Sequence, residues 1–232
     1  MKIGFIGLGA MGAPMARHLA AKGLLAVVGN RSHAKAEALA AELGVAAGAD
    51  ASGFAPCVAV MLCVSADADV LANARALAGV LRPGAIVVDH STVARATAIE
   101  AQEILATGGI GFIDAPVSGG VEGARNGRLS VMCGADPAAL ETVRPALECY
   151  GARVSRMGPV GSGQATKAVN QVMVAGINEA VCEALALGAR LGLDPDLLLP
   201  TLGSGAAANW FLDKRGATML RGEFAPGFKC EH

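Results

Sequence analysis

Short apolar strand patterns alternating with helical ones over the first two thirds of the chain predict an α/β protein built on a doubly wound, mostly parallel sheet. Two further observations refine the class. The turn Gly7-Leu8-Gly9-Ala10-Met11-Gly12 follows the first strand pattern and opens a helix, which is the Rossmann-type arrangement. From Gly163 to about Leu191, an unbroken run rich in Ala, Val and Leu reads as one helix of about 40 Å at 1.5 Å per residue. The chain is therefore expected to divide into a sheet domain over 1–162 and a small all-α domain over 163–232, with the long helix entering the second.

The elements follow in order. Lys2–Ile6 has the pattern of a short buried strand, Met11–Lys22 has helical spacing with Gly23 as its stop, and Leu24–Val28 is the next strand, completing a βαβ unit. Ala34–Leu43 (helix), Val58–Cys63 (strand), Asp67–Ala78 (helix), Ile86–Asp89 (strand), a helix from Val93 and Gly111–Asp114 (strand) continue the alternation. Ser130–Cys133 and Arg153–Arg156 are two more strands, with a helix over Pro137–Cys149 between them, and Pro195–Leu202 and Trp210–Leu220 are the late helices. A long helix that is apolar on most faces needs burial on most faces, either within the chain or against a second copy of it.

Composition narrows the function classes. The 232 residues are 53% hydrophobic, 3% aromatic and carry a net charge of −1, enough apolar matter for a sizeable core and too little positive charge for a phosphate-backbone partner. Cys57, Cys63, Cys133, Cys149, Cys182 and Cys230 lack paired CxxC spacing and are expected as reduced core residues of a cytoplasmic protein. Asn170, Asn178, Glu179 and Glu183 interrupt the longest apolar segment, so no membrane span is expected. The apolar run after Lys2 contains three glycines and continues into a helical pattern, which fits a strand-turn-helix better than a secretory leader.

Three motifs carry chemistry. In the glycine turn, Gly7 permits the tight bend, Gly9 admits a pyrophosphate to the backbone and Gly12 packs helix on strand, with the helix N-terminus facing the phosphate. The strand after it should end in Asp or Glu to hold the ribose 2′-hydroxyl of NAD, yet it ends in Asn30-Arg31-Ser32. Without that carboxylate, and with a guanidinium and a hydroxyl present, NADP is favoured and NAD remains possible. Asp114-Ala-Pro-Val-Ser118-Gly119-Gly120 offers a hydroxyl and two unhindered amides as a cradle for a substrate carboxylate, and Thr92 at a strand end is within reach of a nicotinamide. In Gly161-Ser-Gly-Gln-Ala-Thr-Lys167, an amine sits just inside an apolar helix, where lost hydration lowers its pKa toward useful acid/base chemistry. Asn170 and Gln171 lie at i+3 and i+4 from Lys167, so the three share a face that can address one substrate oxygen. His90 reads as a packing or supporting histidine, and Trp210 and Phe211 fit either a pocket wall or a helical core.

Together Gly7–Gly12, Asp89-His-Ser-Thr92, Asp114–Gly120 with Gly123-Ala124, and Gly161–Lys167 resemble the β-hydroxyacid dehydrogenase family, which includes 3-hydroxyisobutyrate dehydrogenase, tartronate semialdehyde reductase and threonate dehydrogenase. The resemblance implies a 6-phosphogluconate dehydrogenase-like NADP-binding domain, Lys167 as general acid/base, and Ser118, Gly119, Gly120 and an amide at Asn170 or Gln171 as substrate clamps. It also implies cofactor contacts from Leu62, Cys63 and Thr92. The implied reaction interconverts a small β-hydroxy acid and its semialdehyde or keto form; separately, the apolar long helix leads us to expect a homodimer or homotetramer. Relatives continue past a Pro-Gly-Phe like Pro226-Gly-Phe228 through further helices, so the chain reads as C-terminally truncated. Two other readings remain: an imine-reductase-like enzyme, which the retained lysine disfavours, and a catalytically silent NADP-binding scaffold.

Overall fold

The computed structural model describes residues 1–223. The chain forms two compact units, Met1–Lys167 and Ala168–His232. Cys230 and Pro226-Gly-Phe228 lie outside the described residues.

The first unit is a nine-stranded sheet in the order β3-β2-β1-β4-β5-β6-β8-β7, with β9 also paired to β8. Its strands are β1 (Ile3–Ile6), β2 (Leu25–Gly29), β3 (Ala46–Ala47), β4 (Ala59–Leu62), β5 (Ile86–Asp89), β6 (Gly111–Asp114), β7 (Val117–Ser118), β8 (Leu129–Gly134) and β9 (Gly151–Gly158). The helices are α1 (Gly12–Ala21), α2 (His33–Leu43), α3 (Asp67–Ala78), α4 (Arg95–Ala106), α5 (Gly120–Arg125) and α6 (Pro137–Leu147). All pairings are parallel except β6 with β8 and β7 with β8, so the expected mostly parallel, doubly wound sheet is present. Alternate side chains serve opposite faces: Met61, Val88 and Ile113 pack with α1, α2 and α6, whereas Val60, Leu62, Val87 and Phe112 pack with α3 and α4. The central strands read as continuous apolar runs because helices cover both faces.

The register across the sheet sets Leu62, Asp89 and Asp114 side by side at the carboxyl ends of β4, β5 and β6. In a doubly wound sheet this edge is where ligands bind. Two polar residues, Asp89 and Asp114, are therefore completely buried at a ligand-binding edge.

In the second unit, α7 (Ser162–Arg190) begins before the division and continues through it, followed by α8 (Pro195–Gly203) and α9 (Trp210–Leu220). Asp194 and Asn209 cap α8 and α9 by accepting the Asp196 and Leu212 amides. Val181, Leu185 and Leu212 form the small core, with Phe211 packed against it, while Trp210 is half exposed and makes an edge contact with Phe211. The helices approach closely: a Cβ on Gly188 would lie 2.7 Å from Leu198 and one on Gly216 would lie 2.8 Å from Leu199.

Two observations bear on the long helix, and the expectation about the cysteines needs correction. The long helix is not buried on most faces within the chain, since Val169, Val172, Met173 and Leu187 are exposed, Val172 by 76%. With a mean hydropathy of 1.5 over 18 residues, α7 is long and apolar enough to cross a membrane by length and composition only, a test that core helices of soluble proteins also pass. The cysteines are not uniformly core residues: Cys57 and Cys133 are buried, Cys63 and Cys149 half-buried and Cys182 exposed, all five as free thiols.

Candidate active site

The glycine turn is shaped by collisions that any larger residue would cause. Gly7 has φ +98°, and a Cβ there would strike the Cys63 carbonyl oxygen, while one on Gly12 would strike the Gly7 carbonyl. A Cβ on Gly9, by contrast, would meet nothing within 4 Å, so the turn is open at that point. Gly9 and Ala10 are exposed, Met11 is half-buried and Leu8 is buried in the core. No side chain caps α1 and its first turn carries no acid, which leaves the positive end of the helix to an anion.

Asn30 stabilises this turn directly. Its Oδ1 accepts the Leu8 amide at 3.0 Å and its Nδ2 donates to the Ser32 carbonyl at 3.2 Å. Arg31 projects outward with its side chain 88% exposed, 3.9 Å from Asp69, and Ser32 is exposed at the start of α2. Leu62 and Cys63 lie beneath the turn. Leu62 is wholly buried and its carbonyl accepts the His90 amide, while Cys63 donates its amide to Ile6. Burial and the nearby Asp89 push the Cys63 thiol up to about 12, so it stays protonated.

The Asp89–Val93 segment is held on both sides of Thr92. The Ser91 amide donates to Asp89 Oδ1 at 2.9 Å, and Ser91 Oγ accepts the Val64 amide at 2.9 Å. Gln164 Nε2 donates to the Ser91 carbonyl at 2.7 Å, its Oε1 accepts the Val93 amide at 3.2 Å, and Asp67 accepts the Ala94 amide at 2.9 Å. Thr92 itself remains exposed. Burial raises Asp89 to about 7 against the Ser91 bonds that lower it, with Asp114 and Asp67 adding to the rise, and its Oδ2 has no hydrogen-bond partner among the described residues.

His90 faces the other way. Nδ1 lies 2.7 Å from the Ala115 carbonyl, which requires the proton on that nitrogen, and Nε2 accepts the Tyr150 hydroxyl at 2.8 Å. Burial lowers its pKa to about 4, so it is neutral and supports the 115–118 segment rather than exchanging protons near neutrality.

Lys167 completes the cluster. Asp114 accepts the Gly161 amide at 2.7 Å and the Gln164 amide at 2.8 Å, fastening the first turn of α7 to the end of β6. One turn later the half-buried Lys167 donates from Nζ to the Val117 carbonyl at 2.9 Å, immediately before Ser118, Gly119 and Gly120. Loss of hydration lowers its pKa below the usual lysine range. Gly119 and Gly120 have φ of +129° and +63°, backbone that a larger residue would resist. Asn170 and Gln171 follow along α7, and Asn170 Nδ2 donates to Gln171 Oε1 at 3.0 Å. The structure thus brings the glycine turn together with Asn30 and Cys63, and Lys167 together with Val117–Gly120, while Arg31 and Ser32 stand apart in solvent. Gln164, Asp114, Asp89 and Tyr150 were not singled out as site residues from the sequence, although the first three lie inside the quoted motifs.

Two family descriptions cover the chain. Residues 2–158 match the NAD binding domain of 6-phosphogluconate dehydrogenase, and residues 161–232 match the NAD-binding region of NADP-dependent 3-hydroxyisobutyrate dehydrogenase. The 2-hydroxy-3-oxopropionate reductase of Escherichia coli is 36% identical over 99% of this chain and 79% of its own. The chain belongs to the β-hydroxyacid dehydrogenase family. Among solved structures, Mycobacterium tuberculosis 3-hydroxyisobutyrate dehydrogenase with L-serine superimposes with a TM-score of 0.86 at 29% identity, covering 98% of this chain and 80% of that one. Psf3 in complex with NADP+ and 2-OPP gives 0.87 at 32% identity, covering 95% and 79%. As a β-hydroxyacid dehydrogenase, the protein is an NAD(P)-dependent oxidoreductase with a Rossmann-type domain followed by a helical region.

Proposed function

We propose that this β-hydroxyacid dehydrogenase interconverts a small β-hydroxy acid and its semialdehyde or keto form, prefers NADP, and uses Lys167 as its general acid/base. The observation that carries the reading is the half-buried Lys167 amine beside the Ser118–Gly120 turn, its pKa lowered by lost hydration. The residues suit a dinucleotide: the open Gly9, the uncapped α1 N-terminus and the Asn30-braced turn would hold its pyrophosphate, with Leu62, Cys63 and Thr92 alongside. When bound, the nicotinamide accepts or supplies the hydride.

The chain's own groups do the rest. Amides at Gly119 and Gly120 and the Ser118 hydroxyl hold the substrate carboxylate, with Asn170 or Gln171 as a further clamp. In oxidation Lys167 Nζ, neutral, takes the hydroxyl proton as the carbinol C–H leaves as hydride and the C=O bond forms; in reduction the ammonium returns that proton to the oxygen. The NADP preference rests on Asn30 standing where a carboxylate would repel a 2′-phosphate, and on the exposed Arg31 with Ser32 beside it. Asp69, 3.9 Å from Arg31, is a solvent-screened partner that a phosphate would displace. Turnover of C3 to C5 hydroxy acids with NADP and with NAD tests the reading; oxidation of none of them would sink it.

The functional division we propose is 1–162 for cofactor and 163–232 for the helical part. The exposed Val169, Val172, Met173 and Leu187 support a homo-oligomer in which a second copy covers α7, and the five free thiols suit the reducing cytoplasm. Light scattering at micromolar concentration tests the assembly, with a strict monomer as the contrary result.

A further inference from the structure

We infer that Gln164 is the positioning residue that sets the nicotinamide-side segment around Thr92 in register with the Lys167 amine. The inference rests on the dehydrogenase reading above. Gln164 is only 3% exposed and spends its whole side-chain amide on one segment, accepting from Val93 N–H and donating to Ser91 C=O, the two backbone groups that flank Thr92. Its own amide donates to Asp114, and Lys167 follows three residues later on the same face of α7. One side chain therefore spans the two parts of the site that must meet adjacent atoms of one substrate: the segment expected beside the hydride-bearing carbon and the helix whose amine exchanges a proton with its oxygen.

The geometry requires a planar group with one acceptor and one donor at its tip. At that length only glutamine, or glutamic acid while it is protonated, provides both. Hydride transfer and proton transfer act on adjacent substrate atoms, so a shift of about 1 Å between their supports can cost about 10²-fold in rate without changing what binds. Asp89 Oδ1 and Asp67 Oδ1 also hold this segment, but each does so from the sheet or α3 and not from α7.

The experiment compares wild type, Gln164→Met and Gln164→Glu in steady-state oxidation of a hydroxy acid that the wild type accepts. Gln164→Met fills the same space without either hydrogen bond. It is expected to lower kcat by about 10- to 100-fold, with the acid's KM and the NADP Kd changed far less, and to enlarge the deuterium isotope effect on kcat when the carbinol hydrogen is labelled. Gln164→Glu is the internal control. Protonated, its carbonyl can accept from Val93 and its hydroxyl can donate to Ser91, reproducing the amide; ionised, it can only accept. The titratable groups around it are Asp114, which already accepts the residue-164 amide, Asp89 and Asp67, which hold the same 89–94 segment, Lys167 three residues on along α7, and Arg95 over Gly161. At a position only 3% exposed, lost hydration favours the protonated form of a carboxyl.

The activity of Gln164→Glu relative to wild type should therefore climb as pH falls. A Gln164→Met enzyme with wild-type kcat and isotope effect overturns the inference. So does a Gln164→Glu ratio that stays flat with pH, since that is the behaviour of a residue needed only for folding. If Gln164→Met does not fold, the Gln164→Glu ratio decides alone. A wild type that oxidises no hydroxy acid removes the activity reading and this inference together, whereas an active wild type beside a normal Gln164→Met removes only the inference.

Discussion

Lys167 Nζ donates to the Val117 carbonyl across 2.9 Å, and this contact ties the amine of α7 to the strand that leads into Ser118–Gly120. Removing the amine should leave the glycine turn and its brace untouched, because Asn30, Leu8 and Cys63 lie on other elements. Lys167→Ala is expected to lower kcat by at least about 10²-fold with NADP affinity nearly intact. In the wild type, hydroxy-acid oxidation should rise with pH through a lysine pKa below the usual range, since the neutral amine is the base, and carbonyl reduction should fall across the same range. Near-normal turnover by Lys167→Ala would end the assignment.

Much of this fold is legible in the amino-acid sequence because its strands are short apolar runs and its helices carry helical spacing between turn residues: β5, β6, α3 and α9 fall where the patterns predict them. The two-residue β3 and β7 and the six-residue α5 are not, since a strand of two residues has no period and Gly119-Gly-Val-Glu-Gly carries no helical stripe. The site divides in the same way. The glycine turn and Lys167 announce themselves through local spacing, whereas Gln164 meets Ser91 across 73 residues and His90 meets Tyr150 across 60, partnerships that only the tertiary fold creates. What covers α7 is not legible, because an apolar sequence states a need for cover without saying which molecule supplies it.

Arg31 offers the test of cofactor choice. Its guanidinium is exposed and its ion pair with Asp69 is long, so Arg31→Ala should cost little stability, about 0–1 kcal/mol. The ratio of kcat/KM for NADP over NAD should fall by about tenfold or more, as expected for loss of a charge-assisted phosphate contact. An unchanged ratio would show that the preference does not come from this charge.

Tyr150 and His90 provide a stability prediction. Both are buried, and Tyr150→Phe removes the donor that satisfies His90 Nε2 while leaving the ring packed edge-on at 5.4 Å. An unsatisfied buried acceptor costs about 1–3 kcal/mol, which should appear as a lower urea midpoint at unchanged slope. Since His90 Nδ1 also supports the Ala115 carbonyl, kcat should decline modestly while NADP affinity holds. A wild-type midpoint would mean the hydroxyl contributes nothing to the fold.

Asp89 should make folding stability depend on pH in an unusual direction for a carboxylic acid. Its native pKa is raised from 3.8 to about 7, so between those values the folded chain binds more protons than the unfolded one. Its contribution to stability is then fully present below about pH 4 and is lost as pH rises through 7, with roughly 4 kcal/mol as the upper figure for the whole span. Asp89→Asn keeps an oxygen for the Ser91 amide and cannot ionise. Relative to wild type it should gain stability steadily from pH 4 to 8 in urea titrations, and the unpartnered Oδ2 position, neutral in both proteins at low pH, should leave little difference there. Parallel stability curves for the two proteins over that range would show that Asp89 is ionised in the native state.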